Sequence, residues 1–304
     1  MEGKKGTRLH ESSRFAGFLL YLKEQKRVSE NTIQSYLRDV AALDSFLGFQ
    51  GDWGYRQADL PAIRRYLDAL REQGLSPSTV LRRRASLGCY YEYLIRLGVL
   101  SENLPRRAPV QPRQAKMPAV LTLQQVDKLL CAPAGDSFKS RRDRAMLELL
   151  YACGLRVSEL LELDVQDVNV QLEFLHVRGS AQRDLPLYPS TLRPLLEYLG
   201  PCRQSVLRLE REPALFLNSG GRRMSRQGFW KILKDYARQT GLEQISPQLL
   251  RHSLAVHLLQ NGAALEEVQA MLGHSDIAST RVYARLFQQT LRDKYQRIHH
   301  RGQK

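Results

Sequence analysis

The chain lacks the features that would place it in a membrane, in a disulfide framework or around a metal. Among its 304 residues no apolar run approaches the roughly 20 needed to span a bilayer. Residues 1–14 are polar and charged, so no targeting segment and no membrane association are expected. Cysteine is scarce: Cys89, Cys131, Cys153 and Cys202 are scattered and show no paired ligand spacing. Most of them sit among apolar residues, which predicts buried free thiols in a reducing cytoplasm. No internal repeat or low-complexity tract stands out. Acidic residues are in short supply, 31 against 46 lysines and arginines, for a net charge of +15. Such a surplus suits a polyanion, because phosphate contacts release counterions and dominate nucleic-acid affinity. A merely soluble basic protein is the plainer reading of the charge alone.

Apolar material is not lacking. With 43% hydrophobic residues the chain can fill real cores, and its length suits two domains of roughly 100–200 residues each. Residues 12–100 read as largely helical. Phe15, Phe18, Leu19 and Leu22 repeat at i, i+3, i+4, i+7, which is one face of a helix. Ser29 reads as the N-cap of a second helix carrying Ile33, Tyr36, Leu37, Val40, Leu43 and Leu47. Pro61 opens a third, and Ser76-Pro77 start a fourth that runs towards Gly98. Residues 102–118 break the pattern, with Pro105, Pro109, Pro112 and Pro118 set among Arg106, Arg107, Arg113 and Lys116. That composition predicts a semi-extended basic linker. The second half opens with Thr122 and Gln125 in a capping-box arrangement, and helical periodicity covers 123–131 and 141–153 up to Gly154. Leu172, Phe174, Leu175, His176 and Val177, then Leu185-Pro186-Leu187, predict a short hairpin or small sheet. Helices are expected near 191–200, 225–240, 247–260, 264–272 and 276–285. The fold class is therefore mainly α with a small β-sheet. A helical domain spans 1–104, the basic linker 105–118, and a mixed α/β domain 119–304.

The chemistry concentrates in the second half. Ser246-Pro247 mark an N-cap and N1, so Gln248 and Arg251 share a face near the positive end of a helix dipole, where phosphate is favoured. Asn261-Gly262 end that helix and Gly273 ends the next, so His274 follows a helix end. Ser275 or Asp276 then caps the helix leading to Tyr283. Arg156 lies in the earlier stretch Gly154-Leu155-Arg156-Val157-Ser158-Glu159-Leu160. Two arginines, a histidine and a tyrosine suit attack on a phosphodiester: guanidinium forks hold the phosphate oxygens while a phenol attacks phosphorus. Taken singly each has an ordinary reading. Tyr283 is one of thirteen tyrosines and could simply fill a core, His274 could bond a helix terminus, and Arg156 could pair with Glu159. The combination, in one order and spacing, carries the argument.

Three long stretches, 151–160, 246–262 and 271–283, resemble the tyrosine recombinases, of the Xer type and related to phage integrases. The run Ser29-Glu30-Asn31-Thr32-Ile33-Gln34-Ser35-Tyr36 and Asn103-Leu104-Pro105 are similar to that family's helical core-binding domain, so the resemblance covers nearly the whole chain. It implies a core-binding domain in the first half and a catalytic domain with a C-terminal helix in the second. It implies that Arg156 and Arg251 bracket the scissile phosphate, that His274 donates a further hydrogen bond to it, and that Tyr283 is the nucleophile forming a 3′-phosphotyrosyl link. It implies double-stranded DNA as the partner, a homo- or hetero-tetramer on paired DNA sites, a partner recombinase or DNA translocase, and no cofactor or metal. Arg82, Arg83 and Arg84 on the fourth helix become candidate phosphate or groove contacts, with a solvated helix face as the alternative.

Two positions depart from the family pattern. Where the family usually has an acid–base histidine three residues before the second arginine, this chain has Gln248, which cannot take a proton near neutral pH. The family's hairpin lysine is missing as well, for no lysine occurs between Lys139 and Lys231. Arg178 or Arg183 could supply charge there, but neither readily releases a proton. Two readings follow: a working recombinase, and a catalytically impaired relative that acts as a sequence-specific DNA-binding or architectural factor. A third is an unrelated basic helical protein that binds nucleic acid without sequence preference.

Overall fold

The structure is a computed structural model that describes residues 15–48, 58–109, 119–179, 181–208, 212–242, 244–273 and 283. His274, most of the expected linker and the expected C-terminal helix beyond Tyr283 lie outside the described residues. Among the described residues no helix is long and apolar enough to cross a membrane. The chain divides into two units, Met1–Ala115 and Lys116–Lys304.

The first unit is helical because local start and stop signals agree with its apolar periodicity. Helix α1 (Ala16–Leu20) runs into a widened turn at Tyr21–Gln25. Helix α2 (Glu30–Leu47) starts where Ser29 accepts the Thr32 amide and stops at Gly48, whose φ of 68° only glycine adopts cheaply. Helix α3 (Leu60–Glu72) begins one residue before Pro61, because Asp59 accepts the Ala62 amide at 2.7 Å and caps it. Helix α4 (Pro77–Arg96) starts at the expected Ser76-Pro77. The core between them is aromatic: Tyr90 meets Phe18 edge-on at 4.8 Å and Phe15 at 5.9 Å, with Leu22, Leu43, Ile63 and Leu87 closed off from solvent.

The first residues of the stretch expected to be linker fold instead. Asn103 caps a one-turn helix, α5 (Leu104–Arg107), and its amide donates to the Gly88 carbonyl at 2.8 Å. Ala108 is fully buried against the same core. Proline at the start of a helix costs nothing, so Pro105 did not break the chain where composition suggested.

In the second unit Thr122 and Gln125 form the expected reciprocal box at the start of α6 (Leu123–Leu130). Helix α7 (Phe138–Ala152) begins three residues before the expected start, capped by Ser137. A further short helix, α8 (Val157–Glu162), follows within the stretch read only as a motif. Strands β1 (Val168–Asn169), β2 (Phe174–Val177) and β3 (Arg183–Pro186) make an antiparallel meander, Leu175 opposite Leu185 and Val177 opposite Arg183. Leu175, Val177 and Leu185 face the core, as a period of two requires. Among the described residues helices α9 (Pro189–Glu197), α10 (Arg226–Thr240), α11 (Pro247–Gln260) and α12 (Leu265–Leu272) follow. The thiols depart from expectation. Only Cys153 is buried, Cys89 and Cys202 are half-buried and Cys131 is exposed, because Cys131 falls just past the end of α6 and not on its apolar face.

Candidate active site

The site is built around α11. Ser246 accepts the Leu249 amide at 3.0 Å and Pro247 follows, so the helix starts where the sequence placed it. Unlike a surface helix, α11 is buried on most sides, from Leu250 through Leu259. Ser253 keeps such a helix satisfied: its hydroxyl accepts the Leu121 amide at 2.9 Å and donates to Leu249 O at 2.8 Å. Gln248 stays exposed in the first turn, while Arg251, a turn further on, has only 7% of its side chain exposed.

Two glycine carbonyls hold the two arginines. Arg251 donates to Gly154 O and Leu272 O. Arg156 donates from Nη2 to Gly273 O at 3.1 Å. Both glycines are in the left-handed region (φ 56° and 63°). A Cβ on Gly154 would sit 2.7 Å from Leu272 Cδ2, and one on Gly273 2.8 Å from Arg183 Nη1. Helix stop, close approach and arginine anchor therefore coincide at each.

Glu159 ties the cluster together. It caps α8 by accepting the Arg156 amide at 2.7 Å, takes Arg156 Nη1 at 2.7 Å and Arg183 Nη2 at 3.0 Å, and lies 3.9 Å from Arg251. Burial pushes its carboxyl up, but hydrogen bonds from Arg183 and Arg156 outweigh that and leave it below the ordinary carboxylate value. Burial and the Arg156 charge pull Arg251 down to about 10, so it keeps its proton at neutral pH.

Tyr283 closes the site. Its ring, 2% exposed, sits in an apolar cluster with Ala255, Val256, Leu259, Val268 and Leu272. Its hydroxyl lies 2.7 Å from His252 Nδ1, with ring centroids 5.3 Å apart. Burial raises the phenol above its ordinary value, against the opposing charges of Arg251 and Arg156. Arg156, Gln248, Arg251, His252 and Tyr283 all line one cavity of about 310 Å³, which Arg226 and Trp230 of α10 also face. Two guanidinium groups and a phenol in one hollow can hold a phosphodiester beside a nucleophile.

The expected site residues therefore separate into groups. Arg156, Arg251, Gln248 and Tyr283 meet, and His274 lies outside the described residues. Arg183 does not offer a free charge: 8% exposed, it donates to Met271 O at 2.6 Å, to Ala181 O at 2.9 Å and to Glu159. Arg178 turns to Glu162 O, Asp164 and Asp167 at 2.7–3.0 Å, in a different hollow. In the helical unit Arg82 and Arg83 both pair with buried Asp39, and Arg84 donates to Ala108 O at 2.9 Å. Each of these five arginines has a partner within the chain, although Arg82 and Arg178 keep 46% and 45% of their side chains exposed. Three side chains at the cavity escaped the sequence reading: His252, Arg226 and Trp230. His252 was in view beside Arg251, and its i+4 spacing from Gln248 was the signal.

Residues 119–290 match the phage integrase family, and residues 15–98 match the phage integrase N-terminal SAM-like domain. The chain is 39% identical over 293 residues to tyrosine recombinase XerD of Oceanobacillus iheyensis, covering 94% of this chain and 97% of that protein. It is also 39% identical over 274 residues to tyrosine recombinase XerC of Herpetosiphon aurantiacus, covering 88% of each. A crystal structure of the XerH site-specific recombinase bound to palindromic difH substrate superposes with a TM-score of 0.72 at 21% identity, covering 86% of this chain and 78% of that one. The chain belongs to the phage integrase family of tyrosine recombinases and is Xer-like within it.

Proposed function

We propose that this protein is a site-specific DNA recombinase that cleaves and rejoins duplex DNA through a 3′-phosphotyrosyl intermediate on Tyr283. One observation carries the reading: the Tyr283 hydroxyl and the Arg156 and Arg251 guanidiniums face a single cavity. The arginines neutralise the charge that builds up on phosphorus as the phenol attacks, and they do so without changing protonation state. The family resemblance gives His274, the residue after Gly273 in the sequence, the role of a further donor to the same phosphate. The bond energy is kept in the phosphotyrosyl link, so rejoining needs no nucleotide cofactor. Duplex DNA fits the +15 net charge, and strand exchange between two sites calls for a tetramer, homomeric or with a partner recombinase.

A second reading rests on Gln248 and on the hairpin, where Arg178 and Arg183 are held by carboxylates and carbonyls and not by the cavity. On that reading the chain binds its site without cutting. The two separate on one experiment: DNA bound by the protein is selected from genomic fragments, then offered as a nicked duplex that traps the cleaved state. A covalent adduct surviving denaturation supports the recombinase. Tight binding without adduct rejects it in favour of the DNA-binding factor.

A further inference from the structure

We infer that His252 is the general base that takes the proton from Tyr283, standing in, one helical turn on, for the acid–base side chain that Gln248 cannot be. The inference rests on the recombinase reading and assigns a residue to its first chemical step.

Three observations converge on it. Gln248 and His252 are four residues apart on α11, so their side chains rise from one face, and both line the Tyr283 cavity. His252 Nδ1 is 2.7 Å from the Tyr283 oxygen, the reach a base needs before any rearrangement. The groups around the imidazole favour its neutral form: Arg251 lies beside it on α11, while Arg156 of α8 and Arg226 of α10 line the cavity it shares with Tyr283. Burial, then the Arg251 charge, holds His252 below the ordinary histidine value, so near neutral pH the ring is uncharged and can accept a proton. Tyr283, raised by burial, is a neutral phenol and a weak nucleophile without such a partner.

The step balances within the site. The Tyr283 O–H bond breaks and its proton passes to His252 Nδ1. The freed electron pair forms the bond to phosphorus, while the bond from phosphorus to the 5′-oxygen breaks. That oxygen leaves with its pair and takes a proton from solvent water. On rejoining, the 5′-hydroxyl attacks phosphorus and its proton passes to water. The phenol oxygen leaves with the bonding pair, and His252 returns its proton. A bound phosphodiester adds negative charge to a cavity otherwise lined by arginines, which strengthens the imidazole as a base when the substrate is present.

The test compares the full-length wild-type protein with H252Q, a variant that keeps a hydrogen-bonding side chain but cannot be protonated. Single-turnover adduct formation is followed on two nicked duplexes, one with the ordinary phosphate and one with a bridging 5′-phosphorothiolate, whose sulfur leaves without a proton. H252Q is expected to slow both substrates by about 10²–10⁴-fold. It should also lose the rise in rate with pH that the wild type shows as its imidazolium deprotonates. Wild-type rates in H252Q, or a defect that vanishes on the phosphorothiolate, overturn the inference, since the latter would assign His252 to the leaving oxygen. If H252Q does not fold, the wild type alone decides: a rate flat with pH from about 5 to 8 rejects a histidine base. Absence of any adduct from the wild type is a different failure, that of the recombinase reading itself.

Discussion

Helix α11 carries two histidine–tyrosine pairs at the same 2.7 Å, and they are chemically unlike. His257 Nδ1 meets the Tyr151 hydroxyl, while its Nε2 lies 2.9 Å from the Leu121 carbonyl. A carbonyl can only accept, so Nε2 holds the proton and Nδ1 accepts from the phenol. Both of that ring's nitrogens are spent on holding the fold. His252 and Tyr283 instead face a cavity with two arginines. The surroundings differ in sign too. Burial pushes Tyr151 up to about 12 and the Asp127 charge adds to that, whereas for Tyr283 the charges of Arg251 and Arg156 oppose burial. The two histidines stand five residues apart, roughly 140° around the helix axis, which turns one to the interior and the other to the cavity. A short hydrogen bond does not by itself mark a reactive pair; open access and neighbouring cations do.

This contrast can be broken by substitution. Tyr283→Phe is expected to abolish the covalent adduct on a nicked duplex while leaving DNA affinity in place; any adduct from that variant would move the nucleophile elsewhere. Arg156→Gln removes the more exposed of the two guanidiniums and is expected to slow adduct formation by about 10²–10³-fold. A rate equal to wild type would take Arg156 out of the clamp. Tyr151→Phe should leave the adduct rate unchanged but lower stability by about 1–3 kcal/mol, because the buried His257 Nδ1 loses its donor. Denaturant unfolding checks that loss, and a fall in adduct rate without a fall in stability would mean the two pairs are not separable. Ser246→Ala, at the cap of the shared helix, should cost about 1 kcal/mol, read as a drop of about 2–4 °C in Tm. No change in Tm would place the helix start elsewhere.

What could be read in advance was local. Ser29, Ser76, Thr122 and Ser246 cap the helices they were expected to cap, because a cap bonds an amide three residues away and needs nothing distant. Arg156, Arg251 and Tyr283 were found through motif order and do share a cavity. The partners that the candidate DNA-contact arginines take within the chain were not legible, for the opposite reason. Arg82 pairs with Asp39, 43 positions earlier, and Arg183 reaches Glu159 across 24 positions, partners that no local window reveals. Helix α8 went unread although Glu159, at its third position and capping it, was in plain view.

Sequence by itself determined the helical pattern, the two-part organisation, the positive charge and the choice of Arg156, Arg251 and Tyr283 as the proposed clamp and nucleophile, since each depends on residue type and short spacing. Tertiary structure alone decided which partner each charge takes. A guanidinium takes the nearest carboxylate or carbonyl, so folding gave Arg82, Arg83, Arg84, Arg178 and Arg183 partners within the chain. It also brought His252, unremarked beside Arg251, to within a proton's transfer of Tyr283, 31 positions further along the chain.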